Sequence, residues 1–244
     1  MQVLTRLEKE LLREHFPEEA AFRAAASRML EEHEPLAYII GEWYFYGETY
    51  RLNRDCLIPR PETEHIVDEL LERLPQNGSF ADLCTGSGCI AISSLVHRKD
   101  ASCLAVDISE SALSMARENA DRNGVGDRIL LKKADILHDR PECVLDGRTF
   151  DILVSNPPYI DSSVIETLSD EVRKEPRIAL DGGEDGMDFY RILIGSYLPL
   201  LAKNGLLILE IGYDQAERIR ALHPCEILKD YSGNDRVAII RNEG

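Results

Sequence analysis

The sequence predicts an α/β fold, a doubly wound sheet of seven strands preceded by a short helical segment and a β-hairpin. Two patterns carry that prediction. Short apolar runs (Ser102 to Val106, Ile129 to Lys133, Phe150 to Ser155, Gly205 to Ile211) alternate with stretches of helical periodicity, as strands joined by crossover helices do. The run from Asp82 to Gly88 then sets two glycines between a strand and the helix Cys89 to His97, at the strand end where such sheets bind ligands.

Composition narrows the class. A chain of 244 residues, 44% hydrophobic and 30% charged, fits one main domain with a small appendage. No apolar run approaches the roughly 18 to 20 residues of a membrane helix. Arg6, Glu8 and Lys9 break any signal-peptide profile, so a cytoplasmic location is expected. The six cysteines show neither a CxxC pair nor zinc-type spacing, which predicts buried thiols and no metal. The formal net charge of −16, with no Lys/Arg cluster, disfavours nucleic acid as a partner.

From the start, Leu4, Leu7, Leu11 and Leu12 recur at helical spacing, and beyond Phe16-Pro17 a second helix places Ala20, Ala24, Met29 and Leu30 on one side. Two such helices are too small for a core of their own and are expected to pack on the rest or on a partner. Trp43 to Leu52 reads as a hairpin turning at Gly47-Glu48, its aromatics Trp43, Tyr44, Phe45, Tyr46 and Tyr50 forming a packing surface. Pro61 suits the first turn of a helix through Ile66, Val67, Leu70 and Leu71, with Arg60 and Glu62 flanking its start. The expected division is a helical segment 1–41, a hairpin linker 42–58 and a main domain 59–244.

Within that domain Ser109 is a natural N-cap for a helix from Ala112 to about Arg122. Asp161 to Arg173 is a polar loop, and Asp181 to Gly186 a flexible acidic turn beside the pocket where a lid would sit. Met187 to Leu201 and Gln215 to Leu222 are helices, and Cys225 to Leu228 pairs with Val237 to Ile240 to close the sheet. Asn204-Gly205 and Ser232 to Asp235 supply the turns.

The candidate site has two halves. In the first, Gly86 and Gly88 let backbone approach a ligand, the following helix presents free N–H groups, and Asp107, about twenty residues on, can accept from a ribose diol. Gly86, Gly88 and Ala91 also satisfy the dinucleotide fingerprint, which keeps a nicotinamide enzyme as a rival. Asp82 is placed to reach an ammonium group, and Asp135-Ile136 offers a carboxylate and an apolar face to an adenine. In the second half, Asn156-Pro157-Pro158-Tyr159 ends a strand, because neither proline has an N–H for a ladder. By itself a Pro-Pro pair merely stops a strand. Here the Asn156 amide oxygen and the Pro157 carbonyl can each accept one N–H while the Tyr159 ring covers a flat face, an arrangement suited to a planar group carrying NH2.

The ligand these residues describe is a nucleoside joined to an amino acid, S-adenosylmethionine. Asp82 to Gly88, Asp107, Ala134-Asp135 and Asn156 to Tyr159 resemble the ordered motifs of a class I, Rossmann-like methyltransferase acting on a planar nitrogen. Glu34 to Gly41, Ile58 to Glu64, Glu175 to Arg177 through Gly182-Gly183, and Asp230 to Val237 resemble more narrowly the release factor glutamine N5-methyltransferases of the PrmC/HemK type. That family usually carries a larger helical N-terminal domain than the two short helices here. The resemblance implies cofactor contacts from Asp82, Cys84, Thr85, Gly86, Ser87, Gly88, Asp107, Asp135, Ile136 and Asn156, and substrate contacts from Asn156, Pro157, Pro158 and Tyr159, with Asn156, Pro157 and Tyr159 catalytic. It also implies an antiparallel sheet edge, S-adenosylhomocysteine as product, and the Gly-Gly-Gln glutamine of class 1 release factors as target. Ribosomal-protein glutamine methylation, adenine N6-methylation and a non-catalytic cofactor-binding scaffold remain alternatives.

Overall fold

The computed structural model describes residues 4–244. Helices α1 (Arg6–His15), α2 (Glu19–Glu31) and α3 (Leu36–Ile40) lead into a hairpin of β1 (Glu42–Phe45) and β2 (Glu48–Arg51). The main domain follows with α4 (Glu64–Arg73), β3 (Ser79–Leu83), α5 (Cys89–His97), β4 (Ser102–Asp107), α6 (Glu110–Arg122), β5 (Ile129–Lys133), α7 (Pro141–Val144) and β6 (Ile152–Ser155). It ends with α8 (Asp188–Ile192), β7 (Leu206–Glu210), α9 (Ala216–Leu222), β8 (Glu226–Lys229) and β9 (Asp235–Arg241).

The seven strands lie in the order β5-β4-β3-β6-β7-β9-β8. The first five are parallel, and β9 slots antiparallel between β7 and β8. This is the doubly wound sheet of seven strands that the sequence predicts, with its antiparallel edge. Strand alternation divides the core between its faces. Phe80, Cys103, Ala105, Ile152, Val154 and Ile208 pack under α4 and α5, while Ala81, Leu83, Leu104, Leu153, Leu207 and Leu209 face Tyr190, Tyr197 and Ile219 on the other side. The order reverses at β3, so β3, β4 and β6 all open their C-terminal ends toward one crevice.

Several expectations need correction. The hairpin turns at Tyr46-Gly47, one residue early, with both residues at positive φ (51° and 88°). A tyrosine holds that unusual conformation because its N–H donates to Glu64 and its hydroxyl to Asp68. The aromatics divide, with Phe45 and Tyr50 buried and Tyr44 exposed. In the N-terminal helices Leu7, Ala20 and Ala24 are exposed. The buried set is Leu4, Leu12, Ala25, Met29, Leu36 and Ile39, so α1 to α3 share a small core of their own that continues into the half-buried Trp43. Cys56, Cys89 and Cys103 are buried as expected, but Cys84 and Cys225 are half-buried and Cys143 is exposed. The helix after Met187 is not uniform, since α8 passes through a π-turn at Leu193–Tyr197 and a tight turn at Leu198–Leu200, where Pro199 lacks a donor.

The acidic turn makes several side-chain contacts. Asp181 accepts from Gly183 N–H (3.1 Å) and from the Ser162 hydroxyl, and Asp185 pairs with Arg191 and Arg218. Among the described residues, no helix is long and apolar enough to cross a membrane.

Candidate functional site

At the C-terminal ends of β3, β4 and β6 lies a cavity of about 460 Å³, within the range of small-molecule sites. Its walls come from separate parts of the chain: Asp55 to Leu57, the glycine loop with Cys84 and Gly86, the strand ends at Asp107 and Asp135, and the corner at Asn156 and Pro158. Arg177 to Ala179 and Phe189 close the remaining side.

The glycine loop is held from below and from the side. Gly88 sits at φ 83°, and a Cβ there would approach Ile92 Cδ1 of α5 to 2.8 Å and Ala116 Cβ of α6 to 3.2 Å, so α5 meets α6 through this residue's lack of a side chain. Asp107 Oδ2 accepts the Gly86 N–H at 2.8 Å and Oδ1 accepts the Ser109 N–H at 2.9 Å. Burial raises the Asp107 pKa, while those backbone donors work in the other direction. Each oxygen keeps a lone pair for a ligand hydroxyl.

Asp82 sits differently from the other acids. It shares a face with Phe80, fully buried beneath the loop, and is not part of the cavity wall. Thr85 donates its hydroxyl to Oδ2 at 2.6 Å, while Oδ1 finds no partner. Burial pushes its pKa up to about 7. Thr85 and Ser87 are buried as well and stand outside the wall.

Asp135 and Ile136 both line the cavity. Burial opposes ionisation of Asp135, but His138 and the Leu137 N–H hold its carboxyl below the usual range. These groups fit an adenosine-like guest: a backbone-braced carboxylate for a diol, then a second carboxylate and an apolar side chain for an aminated ring. Among the described residues no cluster of His, Cys, Asp or Glu suits a metal ion.

The corner after β6 is braced by Thr63, from the Ile58 to Glu64 stretch, and by Glu210, which neither motif nor periodicity singles out. Asn156 lines the cavity, and its Nδ2 donates to Thr63 Oγ1 at 3.2 Å. Thr63 donates in turn to Glu210 Oε2 at 2.6 Å, and the Tyr159 hydroxyl donates to Glu210 Oε1 at 3.3 Å. Glu210 is buried, which raises its pKa, while Thr63 and Arg236 favour the charged form. Pro158 is part of the wall, and Pro157 and Tyr159 adjoin it in the chain. Burial first, and then Glu210, raises the Tyr159 pKa. One signal for Glu210 was present, a carboxylate closing an apolar strand just as Asp107 closes β4.

Glu175 ties the two rims together, accepting the Ile58 N–H at 3.0 Å and pairing with Arg60. Arg60 thus pairs with the carboxylate that joins Ile58 to the turn before Arg177.

Comparisons place this geometry among known proteins. A family model described as "Methyltransferase small domain" matches residues 63–183. A release factor glutamine methyltransferase of Caulobacter vibrioides is 43% identical over 84% of this chain and 73% of its own length. One from Neisseria gonorrhoeae is 40% identical over 98% of this chain and 86% of its own. Among solved structures, a ribosomal protein L11 methylase from Lactobacillus delbrueckii subsp. bulgaricus is 27% identical with a TM-score of 0.52, covering 80% of this chain and 86% of that one.

Proposed function

The chain belongs to the release factor glutamine methyltransferases, and from that membership we propose that it moves a methyl group from S-adenosylmethionine to the side-chain amide N5 of a glutamine in a release factor. One observation supports the reading above the rest. The Asn156 corner opens into the same cavity that Gly86, Asp107, Asp135 and Ile136 line, so an amide at the corner and a nucleoside along the strand ends would meet there.

Asp107 would hold the ribose diol, Asp135 and Ile136 the adenine, and the backbone of Cys84 and Gly86 the amino-acid end. Asp82 would act from beneath the loop, its partnerless oxygen favouring positive charge above it. When bound, the cofactor supplies an electrophilic methyl on a sulfonium.

The protein's own task is orientation. An amide nitrogen is a poor nucleophile because its lone pair is delocalised. Acceptors for both of its hydrogens, from Asn156 and the Pro157 carbonyl, would fix the amide plane and stabilise the positive charge that grows on nitrogen during transfer. Orientation of this kind is worth several kcal/mol, and loss of one electrostatic contact to the transition state costs on the order of a hundredfold or more in rate. The Gly-Gly-Gln glutamine of class 1 release factors is the proposed target.

The test is transfer of labelled methyl from S-adenosylmethionine to a release factor, a ribosomal protein and a nucleic acid offered separately. Labelling of the release factor alone is expected. Labelling of the ribosomal protein or the nucleic acid in its place would reassign the substrate.

A further inference from the structure

Three segments distant in sequence converge behind the corner. β6 and β7 are parallel neighbours with Ser155 opposite Leu209, so the next residues, Asn156 and Glu210, emerge side by side at the sheet edge. Thr63, on the turn before α4, fills the space between them, itself only 2% exposed. The result is a directed chain: Asn156 Nδ2 to Thr63 Oγ1 at 3.2 Å, then Thr63 Oγ1 to Glu210 Oε2 at 2.6 Å.

Direction is the point. A hydroxyl has one hydrogen, and an ionised carboxylate can only accept. With its hydrogen committed to Glu210, the Thr63 oxygen can meet Asn156 only as an acceptor. That selects the NH2 end of the carboxamide for Thr63 and turns the carbonyl oxygen the other way. A carboxamide can be rotated by half a turn at almost no steric cost, so without such a device Asn156 would offer a donor or an acceptor with similar ease.

We infer that Thr63 is a positioning residue, and that Glu210 through Thr63 fixes Asn156 with its carbonyl oxygen presented to the substrate. The inference rests on the reading that Asn156 grips the N–H of the target amide, since only an acceptor serves that purpose. A donor presented instead would face another donor. Glu210 also receives the Tyr159 hydroxyl at 3.3 Å, so one buried carboxylate sets both polar side chains of the corner.

The experiment uses the full chain with release factor and S-adenosylmethionine, comparing wild type, Thr63→Val and Thr63→Ser. Valine keeps the shape and removes the hydroxyl, while serine keeps the hydroxyl and drops a methyl. Thr63→Val should lose about a hundredfold in kcat, with cofactor Kd by calorimetry and KM for release factor within about threefold of wild type. Thr63→Ser should recover most of the kcat. Wild-type kcat in Thr63→Val, or an equal loss in both variants, overturns the inference alone. A wild-type protein that binds S-adenosylmethionine but methylates no release factor overturns the functional reading beneath it.

Discussion

Gly182 lies so close to Tyr159 that a Cβ on it would stand 2.7 Å from the Tyr159 Cα and 2.9 Å from the Pro158 carbonyl oxygen. Both contacts are backbone, which cannot swing aside as a side chain can. The glycine therefore lets the loop after Asp181 lie flat against the corner that presents Asn156. Gly182→Ala should displace that corner, lowering stability by about 1 to 3 kcal/mol and kcat by roughly a hundredfold. Denaturant unfolding and steady-state kinetics read the two effects.

Asp82 makes the protein's stability depend on pH in an unusual direction. Its folded pKa is raised from 3.8 to about 7, so between those values the folded state holds a proton that the unfolded state has lost. Folded stability from this group therefore falls as pH rises through that window and levels off above it. Every tenfold difference in proton affinity between the two states is worth roughly 1.4 kcal/mol. Asp82→Asn should unfold near the wild-type temperature at acid pH and above it at alkaline pH, a difference that thermal melts across the window would show.

Both Asp107 oxygens accept backbone N–H groups, from Gly86 and Ser109. An asparagine has one oxygen for the two, so its NH2 would face a donor. Asp107→Asn should weaken S-adenosylmethionine binding by about 1.5 to 3 kcal/mol, the range for a hydrogen bond to a charged group. Calorimetry of the purified variant measures it.

Glu175 joins the segment ahead of α4 to the turn that carries Arg177 and Ala179 across the cavity. Glu175→Ala leaves the Ile58 N–H buried without an acceptor, a loss of about 1 to 3 kcal/mol. Because the segments beside both ends of this link line the cavity, cofactor KM should rise together with the loss of stability.

The sheet was legible because its strands are short apolar runs and its turns carry glycine or asparagine, so periodicity and punctuation agreed. The ends of the site were legible for the same reason, since Gly86, Asp107, Asp135 and Asn156 each lie at the end of a strand or in the turn after it. What could not be read was lateral. Nothing in the spacing of Thr63, Asn156 and Glu210 shows that strand order brings them together, because β7 lies beside β6 only once the sheet is assembled. The same limit hid the depth of Asp82, whose carboxylate follows Phe80 under the sheet, and the pairing of Asp185 with Arg218 across a turn that composition marked as flexible. In α2 the alanines misled, because they carry too little hydrophobic signal to show which side of the helix is buried.

The most direct measurement is peptide mass spectrometry of a release factor after incubation with S-adenosylmethionine and either wild type or Asn156→Ala. The account predicts one added methyl on the glutamine of the Gly-Gly-Gln tripeptide with wild type and a yield lower by about a hundredfold or more with the variant. Equal methylation of that glutamine by the variant would contradict it.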